Sequence, residues 1–328
     1  MPVPTWEDCA YTTARVWAER SQCLHNSVGS CILTEDGELI GVGYNGPARG
    51  TTHCRKQGCA LDSKRGCVDA HSERNAIIRA SSHAGDLAGT TLLTTGDICF
   101  NCAKVAANAR IGVVIFTQPG PEHGQVAFLF REIGIAYRQY LPERKFEIKL
   151  QPGTAALSCE DCAMATAEIW SHRTKCIKHR VGCVIINKDG VLVGEGYNGP
   201  VRGAQHCNDP LVGCAKTDGV GPERIKMRCR GTHGEDNAIV RASRHVRDMS
   251  GMTILVTTEP CLSCALAITN AGIRKVVYRD PYVRVADRDG HISEHDEVIE
   301  LFQDAGVAFG QYISTRRFEV ILEPEPEG

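Results

Sequence analysis

The chain has 328 residues, 42% of them apolar and 23% charged, with a formal net charge of −2, 6% aromatic residues and 17 cysteines. That length and apolar content suit two ordinary globular domains, and the lack of any run of about 18 apolar residues excludes a membrane-spanning helix. The near-neutral charge argues against stable nucleic-acid binding, which calls for a basic face.

The N-terminal MPVPTWEDCA has neither the basic start nor the apolar stretch of a signal peptide, so a cytoplasmic location is expected. Many cysteines, odd in number, in a long chain of that kind point to metal ligands rather than a disulfide scaffold. A first helix is predicted over 6–19. The stretch Arg20–Cys54 then returns at Arg173–Cys207 with an offset of 153 residues and 18 identities in 35 positions. From Cys67 and Cys229 onward the offset is 162, the extra residues falling in the loop between. The chain is therefore a tandem duplication, and self-similarity of this kind settles the architecture before any single element does.

The breaker-rich segment Gln151-Pro152-Gly153-Thr154 sets the expected boundary, with domains 1–152 and 153–328. In the second copy a helix is expected over 160–172. Strands over 181–186 and 191–196 follow, joined by Lys188-Asp189-Gly190, a hairpin signal. Helices are expected over 234–245 and 262–271, and short β-branched strands over 253–257 and 275–278. Strands alternating with helices imply an α/β module with a sheet covered on both faces. The Glu-Pro alternation from Glu323 to Gly328 reads as a solvated tail.

Chemistry concentrates in two motifs of the second copy, His233-Gly234-Glu235 and Pro260-Cys261-Leu262-Ser263-Cys264. H-x-E followed by P-C-x-x-C is the signature of zinc nucleobase deaminases. Two cysteines at a helix start favour thiolates and chelate one ion. With His233 they leave tetrahedral Zn²⁺ a position for water, whose pKa zinc lowers toward neutrality. Glu235 is expected to act as general base and then general acid. The first copy keeps His71, Cys99 and Cys102 as metal ligands and Glu73 as the proton carrier. It has Ile98, Arg110 and Gly120 where the second has Pro260, Gly272 and Tyr282. A retained glutamate beside a drifted substrate wall fits a regulatory nucleotide site, or a site for a different substrate.

A second cysteine set recurs, Cys23, Cys54, Cys59 and Cys67 against Cys176, Cys207, Cys214 and Cys229. Each is expected to hold a further zinc, with His53 or His206 able to replace one ligand; buried thiols are the alternative. Cys9, Cys31, Cys159, Cys162 and Cys183 are expected in the core. The basic runs 171–180 and 222–230 read either as solvated surface, the usual fate of such runs, or as a phosphate clamp using Lys175, Arg180, Lys226 and Arg230.

These motifs, with Gly196-Tyr197-Asn198-Gly199-Pro200, His206-Cys207, HxExNAI, TTxPCxxC and AGIxKVVY, give a chain that resembles the deoxycytidylate deaminase family of the cytidine deaminase fold. The resemblance implies two tandem cytidine deaminase-like α/β/α modules, each a mixed sheet flanked by helices. It implies zinc-dependent hydrolytic removal of the 4-amino group of a deoxycytidine nucleotide, dCMP or dCTP, with modification at C5 of the base left open. It also places Asn198 (Asn45 in the first copy), Tyr278 and Tyr282 near sugar and base, packing at the strand end being the alternative for the tyrosines. Asn237, two residues past Glu235, reads as a nucleotide contact or a polar residue on the helix surface. The expected partners are a small-molecule nucleotide, a regulatory nucleotide and a second copy in a homo-oligomer. Competing readings are a polynucleotide cytosine or adenine deaminase and a non-catalytic zinc-binding nucleotide sensor.

Overall fold

The computed structural model describes residues 3–47, 69–151, 156–201, 203–209, 211–214, 229, 231–282, 294–314, 316 and 318–323. The first copy runs α1 Trp6–Ala18, β1 Gly29–Leu33, β2 Leu39–Tyr44, β3 Gly46–Pro47, β4 Asp69–Ala70, α2 Ser72–Ala84, β5 Thr91–Thr94, α3 Phe100–Asn108, β6 Val113–Phe116, α4 His123–Ile133, β7 Ala136–Gln139 and β8 Phe146–Leu150. The second repeats the order. It has α5 Cys159–Ser171, β9 Gly182–Ile186, β10 Leu192–Tyr197, β11 Gly199–Pro200, β12 Gly231–Thr232, α6 Gly234–Ser243, β13 Thr253–Thr258, α7 Leu262–Asn270, β14 Lys275–Asp280, α8 Glu294–Asp304, β15 Ala308–Gln311 and β16 Phe318–Leu322. Each expected element is present within two residues of its predicted ends.

Both opening helices are started by the same reciprocal cap. Thr5 Oγ1 accepts from Asp8 N at 3.1 Å while Asp8 Oδ2 accepts from Thr5 N at 2.9 Å. Ser158 and Asp161 repeat the exchange at 3.0 and 2.9 Å. Two orphan amides are satisfied each time, which fixes where the helix begins.

Each copy builds a five-stranded mixed sheet, ordered β2-β1-β5-β6-β7 and β10-β9-β13-β14-β15. β1 and β9 run antiparallel to β5 and β13, and the strands beyond are parallel. Alternation of side chains across the pleat divides each sheet into two apolar faces. In the first copy Ile32, Ile40, Leu92 and Val114 pack with Ala76, Ala80, Ala103, Ala106, Val126 and Phe130 from α2, α3 and α4. The neighbouring Cys31 turns the other way, its thiol donating to Ala10 O of α1 at 3.3 Å. The sheet is thus covered on both faces. Burying side chains such as Trp17 and Phe130 contributes about 1.5–3 kcal/mol each.

The glycines of the GxGYNG segment have a steric cause. A Cβ on Gly196 would lie 2.2 Å from Gly234 O and 2.3 Å from Ala238 N, and one on Gly43 would lie 2.2 Å from Ser72 O. The helix that carries the motif histidine and glutamate therefore presses its backbone onto the strand, and only glycine permits that approach.

The chain divides into two compact units, one of Pro4–Ala165, Val191–Val193 and Ser314–Gly328, the other of Met1–Val3, Thr166–Gly190 and Gly194–Ile313. This differs from a plain cut between 152 and 153. For the C-terminal segment the cause is the pairing of β8 with β16, antiparallel from Phe318–Leu150 to Leu322–Phe146. The ladder draws the end of the second copy into the unit of the first. Among the described residues no helix is long and apolar enough to cross a membrane.

Candidate active site

Two helix starts meet at each site. His71 and His233 are the N-caps of α2 and α6, and Cys99 and Cys261 are the N-caps of α3 and α7, all in extended backbone. The second cysteine of each pair sits one turn in and is buried. In the second copy His233 Nδ1 is 3.4 Å from Cys261 Sγ and 3.2 Å from Cys264 Sγ, and the sulfurs are 3.6 Å apart. In the first, His71 Nδ1 is 3.4 and 3.6 Å from Cys99 and Cys102. Each trio has its three ligand atoms within 4.8 Å of one another, and these are the two such groups of His, Cys, Asp and Glu among the described residues.

The donor sets fit zinc. Two thiols and one imidazole are its customary soft ligands, and edges of these lengths suit one ion at about 2.0–2.3 Å from each atom. The hydrogen bond from Cys264 and then the His233 imidazole hold the Cys261 thiol down at about 4. Cys99 is likewise held well below the thiol range, by Cys102 and then His71. Two positive helix ends act in the same direction.

Glu73 and Glu235 are each 3% exposed. Burial pushes the Glu235 carboxyl up to about 7, against its own backbone amide and His233, and burial also raises Glu73. Their surroundings differ. Thr94 donates its hydroxyl to Glu73 Oε1 at 2.9 Å, whereas the aligned residue of the second copy is Val256, which has no hydroxyl to give. A second exchange lies next to the histidines, where Ser30 and Ser72 share a hydrogen bond of 2.8 Å in the first copy. The second copy has Cys183 and Gly234 there, and a Cβ on Gly234 would meet the Cys183 sulfur at 3.4 Å.

Glu235 opens onto a pocket of ≈ 140 Å³, walled by His179, Val181, Asn198, Thr258, Glu259 and Tyr282 above His233 and Cys261. The expected substrate residues fare unequally. Asn198 and Tyr282 line the pocket. The Asn198 amide bonds backbone, accepting from Val181 N at 2.9 Å and donating to His179 O at 3.0 Å. Asn45 does the same with Val28 N and Asn26 O, each at 2.8 Å. These asparagines pin the segment that forms one wall.

Asn237 donates to Tyr197 O at 2.8 Å, and Asn75 makes the same bond to Tyr44 O at 2.8 Å. Tyr278 stacks on Phe309 with centroids 4.9 Å apart and is not among the pocket walls. Lys175 Nζ lies 3.1 Å from His206 Nε2 and Arg180 Nη1 3.2 Å from His172 Nδ1, neither of them in the pocket wall. Lys226 and Arg230 are outside the described residues.

Of the second cysteine set, Cys176, Cys207 and Cys229 line the same pocket and Cys214 is buried, but the four do not gather into a group within 4.8 Å. Cys23 is half-buried; Cys54, Cys59 and Cys67, with His53, lie outside the described residues. The expected core cysteines Cys9, Cys31, Cys162 and Cys183 are fully buried and Cys159 is half-buried.

Glu259 carries no motif in the sequence yet belongs to the site. It is 6% exposed, lines the pocket, accepts from Tyr282 N at 3.1 Å through Oε2 and pairs with His295 through Oε1. The available signal was an acidic residue at the same place in both copies, Asp97 and Glu259, two before the first metal cysteine.

Residues 4–118 and 158–280 each match the model of the cytidine and deoxycytidylate deaminase zinc-binding region, together well over half of the chain. The deoxycytidylate deaminase of Schizosaccharomyces pombe is 34% identical over 165 residues, 50% of this chain and 47% of the relative. That of Saccharomyces cerevisiae is 30% identical over 159 residues, 48% of this chain and 46% of the relative. The chain thus spans about half the length of these curated relatives. The crystal structure of the dCMP deaminase of cyanophage S-TIM5 in complex with dCMP and dUMP is 25% identical, covering 45% of this chain and 93% of that one at a TM-score of 0.35.

Proposed function

The chain belongs to the cytidine and deoxycytidylate deaminase zinc-binding family, and from that premise we propose that its second copy hydrolyses the 4-amino group of a deoxycytidine nucleotide, releasing ammonia and the deoxyuridine nucleotide. The observation that carries this reading is Glu235, buried at the base of the pocket beside His233, Cys261 and Cys264. Those three residues would hold zinc, which when bound lowers the pKa of a water toward neutrality.

Glu235 ligates nothing in this arrangement and is placed to move protons. It takes one from the attacking water and gives it to the departing amine, so that the elements of water replace ammonia on the ring. Burial raises its carboxyl toward neutral pH, which suits a group that must be base in one half of the reaction and acid in the other. The half-exposed Tyr282 ring and the Asn198-pinned segment enclose the base and sugar. The similarity to relatives named deoxycytidylate deaminase supports the deoxycytidine class.

In the first copy His71, Cys99 and Cys102 would hold a second zinc. We propose that this site binds a nucleotide without leading turnover, because Gly120 supplies no ring and Thr94 holds Glu73. Ammonia release from a panel of dCMP, dCTP, deoxycytidine and single-stranded oligonucleotide tests the whole reading. A free nucleotide is expected to be the best substrate. Preference for the oligonucleotide would move the chain to the polynucleotide class, and no release from any cytosine compound would make it a zinc-binding nucleotide sensor.

A further inference from the structure

Resting on that reading, we propose that Glu259 is a positioning residue: its carboxylate ties the backbone of Tyr282 to the turn that carries Cys261, and thereby sets the aromatic wall of the pocket. Glu259 spends one oxygen on Tyr282 N at 3.1 Å and the other on His295 Nδ1. Its own amide donates to Asp280 O at 2.8 Å, so residues 280–282 are held from two directions. A nearly buried carboxylate is costly unless paired and hydrogen-bonded. Here both oxygens meet that condition, and one of them holds the backbone of a residue whose side chain lines the pocket. Tyr282 is 37% exposed, with the His179 ring 6.2 Å away as an edge contact.

The first copy repeats the tie with different residues. Asp97 Oδ2 accepts from Gly120 N, the residue aligned with Tyr282, at 2.6 Å, and lies 3.2 Å from His123 Nδ1. Tyr137 donates its hydroxyl to the other oxygen, and Ile98 N donates to it at 2.9 Å. The histidines are not equivalent: His123 is the first residue of α4 and His295 the second of α8. An acid that keeps one bond through duplication while its other partners change is being kept for that bond. In the first copy it holds a glycine, where a Cβ would meet Asp97 Cβ at 3.1 Å. One tie thus carries a wall in one copy and leaves it open in the other.

The test uses the full chain, zinc-loaded, in a Glu235→Ala background so that dCMP binds without turnover. Glu259→Ala is expected to weaken dCMP binding about 10-fold, the loss that goes with one charge-assisted hydrogen bond. Tyr282→Ala should weaken it comparably, and the double variant should be no weaker than Tyr282→Ala alone, because Glu259 acts through Tyr282. Glu259→Gln, which keeps an acceptor, should recover most of the binding; it also serves if the alanine variant does not fold. Amide hydrogen exchange at Tyr282 in the ligand-free protein should accelerate in Glu259→Ala. Unchanged exchange, or a full additive loss in the double variant, overturns the proposal. Accelerated exchange in a parent that binds no pyrimidine nucleotide would instead overturn the proposed function and leave the tie standing.

Discussion

The two metal-bearing turns differ less in what they coordinate than in what surrounds them. Both present one imidazole and two thiols from two helix starts, with a buried glutamate two residues past the histidine. The first copy surrounds that constellation with hydroxyls, Thr94 on Glu73 and Ser30 on Ser72. The second substitutes Val256, Cys183 and Gly234, and adds Tyr282 over the pocket. After duplication the metal ligands had no room to vary, since each is needed for the ion. The groups that tune the glutamate and shape the pocket did vary, and the difference between the copies lies there.

The comparison breaks most easily at the glutamates. Glu235→Ala is expected to lower deamination about 10²–10⁴-fold with zinc content unchanged, the usual loss for a general acid–base. Glu73→Ala should leave most activity on the same substrate. If the two outcomes are exchanged, the copies have been assigned the wrong way round. Elemental analysis sharpens the metal side: Cys261→Ser and Cys99→Ser should each lower the zinc content of the purified chain by about one ion. Any zinc left when both are changed would belong to the second cysteine set.

Gly196→Ala should destabilise the second copy by about 1–3 kcal/mol, the range for overpacking, because its Cβ would press into Gly234 O. It should lower activity too, since the displaced helix carries His233 and Glu235; a denaturant titration beside an assay checks both.

A pH titration separates the copies at a position remote from the metal. Against desolvation, which raises it, His172 and Arg279 pull the Glu168 carboxyl down to about 2. Arg279 Nη1 lies 2.6 Å away and His172 Nε2 3.6 Å. A depressed carboxyl contributes stability that is present above its ordinary value of 4.5 and is lost as pH falls toward 2. The first copy has Arg15 at the corresponding place. Glu168→Gln should therefore flatten the acid limb of unfolding for the second copy; an unchanged limb would remove the network from the account.

The smallest effect is expected at the end of α3. Arg110 holds the left-handed conformation at φ 59° where Gly272 stands at φ 80° in the second copy. Arg110→Gly should stabilise the first copy by about 1 kcal/mol, less what is lost with the exposed Asp86 pair, itself worth little. A rise of a few degrees in Tm would register it.

Much of the fold was legible because duplication doubles the sequence signal. Periodicity, the Asp-Gly hairpin and the repeated motifs placed helices and strands to within two residues. The β8–β16 ladder escaped, since pairing between segments about 170 residues apart leaves no local mark. The metal donors and their glutamates were also legible: their chemistry needs fixed residue types at fixed spacing, and few other uses of those types share it. The polar residues around them were not. An asparagine amide bonds a ligand or a backbone group equally well, and in the structure Asn198, Asn45 and Asn237 each bond backbone. A tyrosine near a strand end serves a pocket or packs on a neighbouring ring, and in the structure Tyr282 lines the pocket while Tyr278 stacks on Phe309. What the sequence determined by itself is the set of groups whose identity the chemistry dictates. Which neighbours reach them was decided only when backbone positions far apart in the chain were brought to hydrogen-bonding distance, as Glu259 and Tyr282 are.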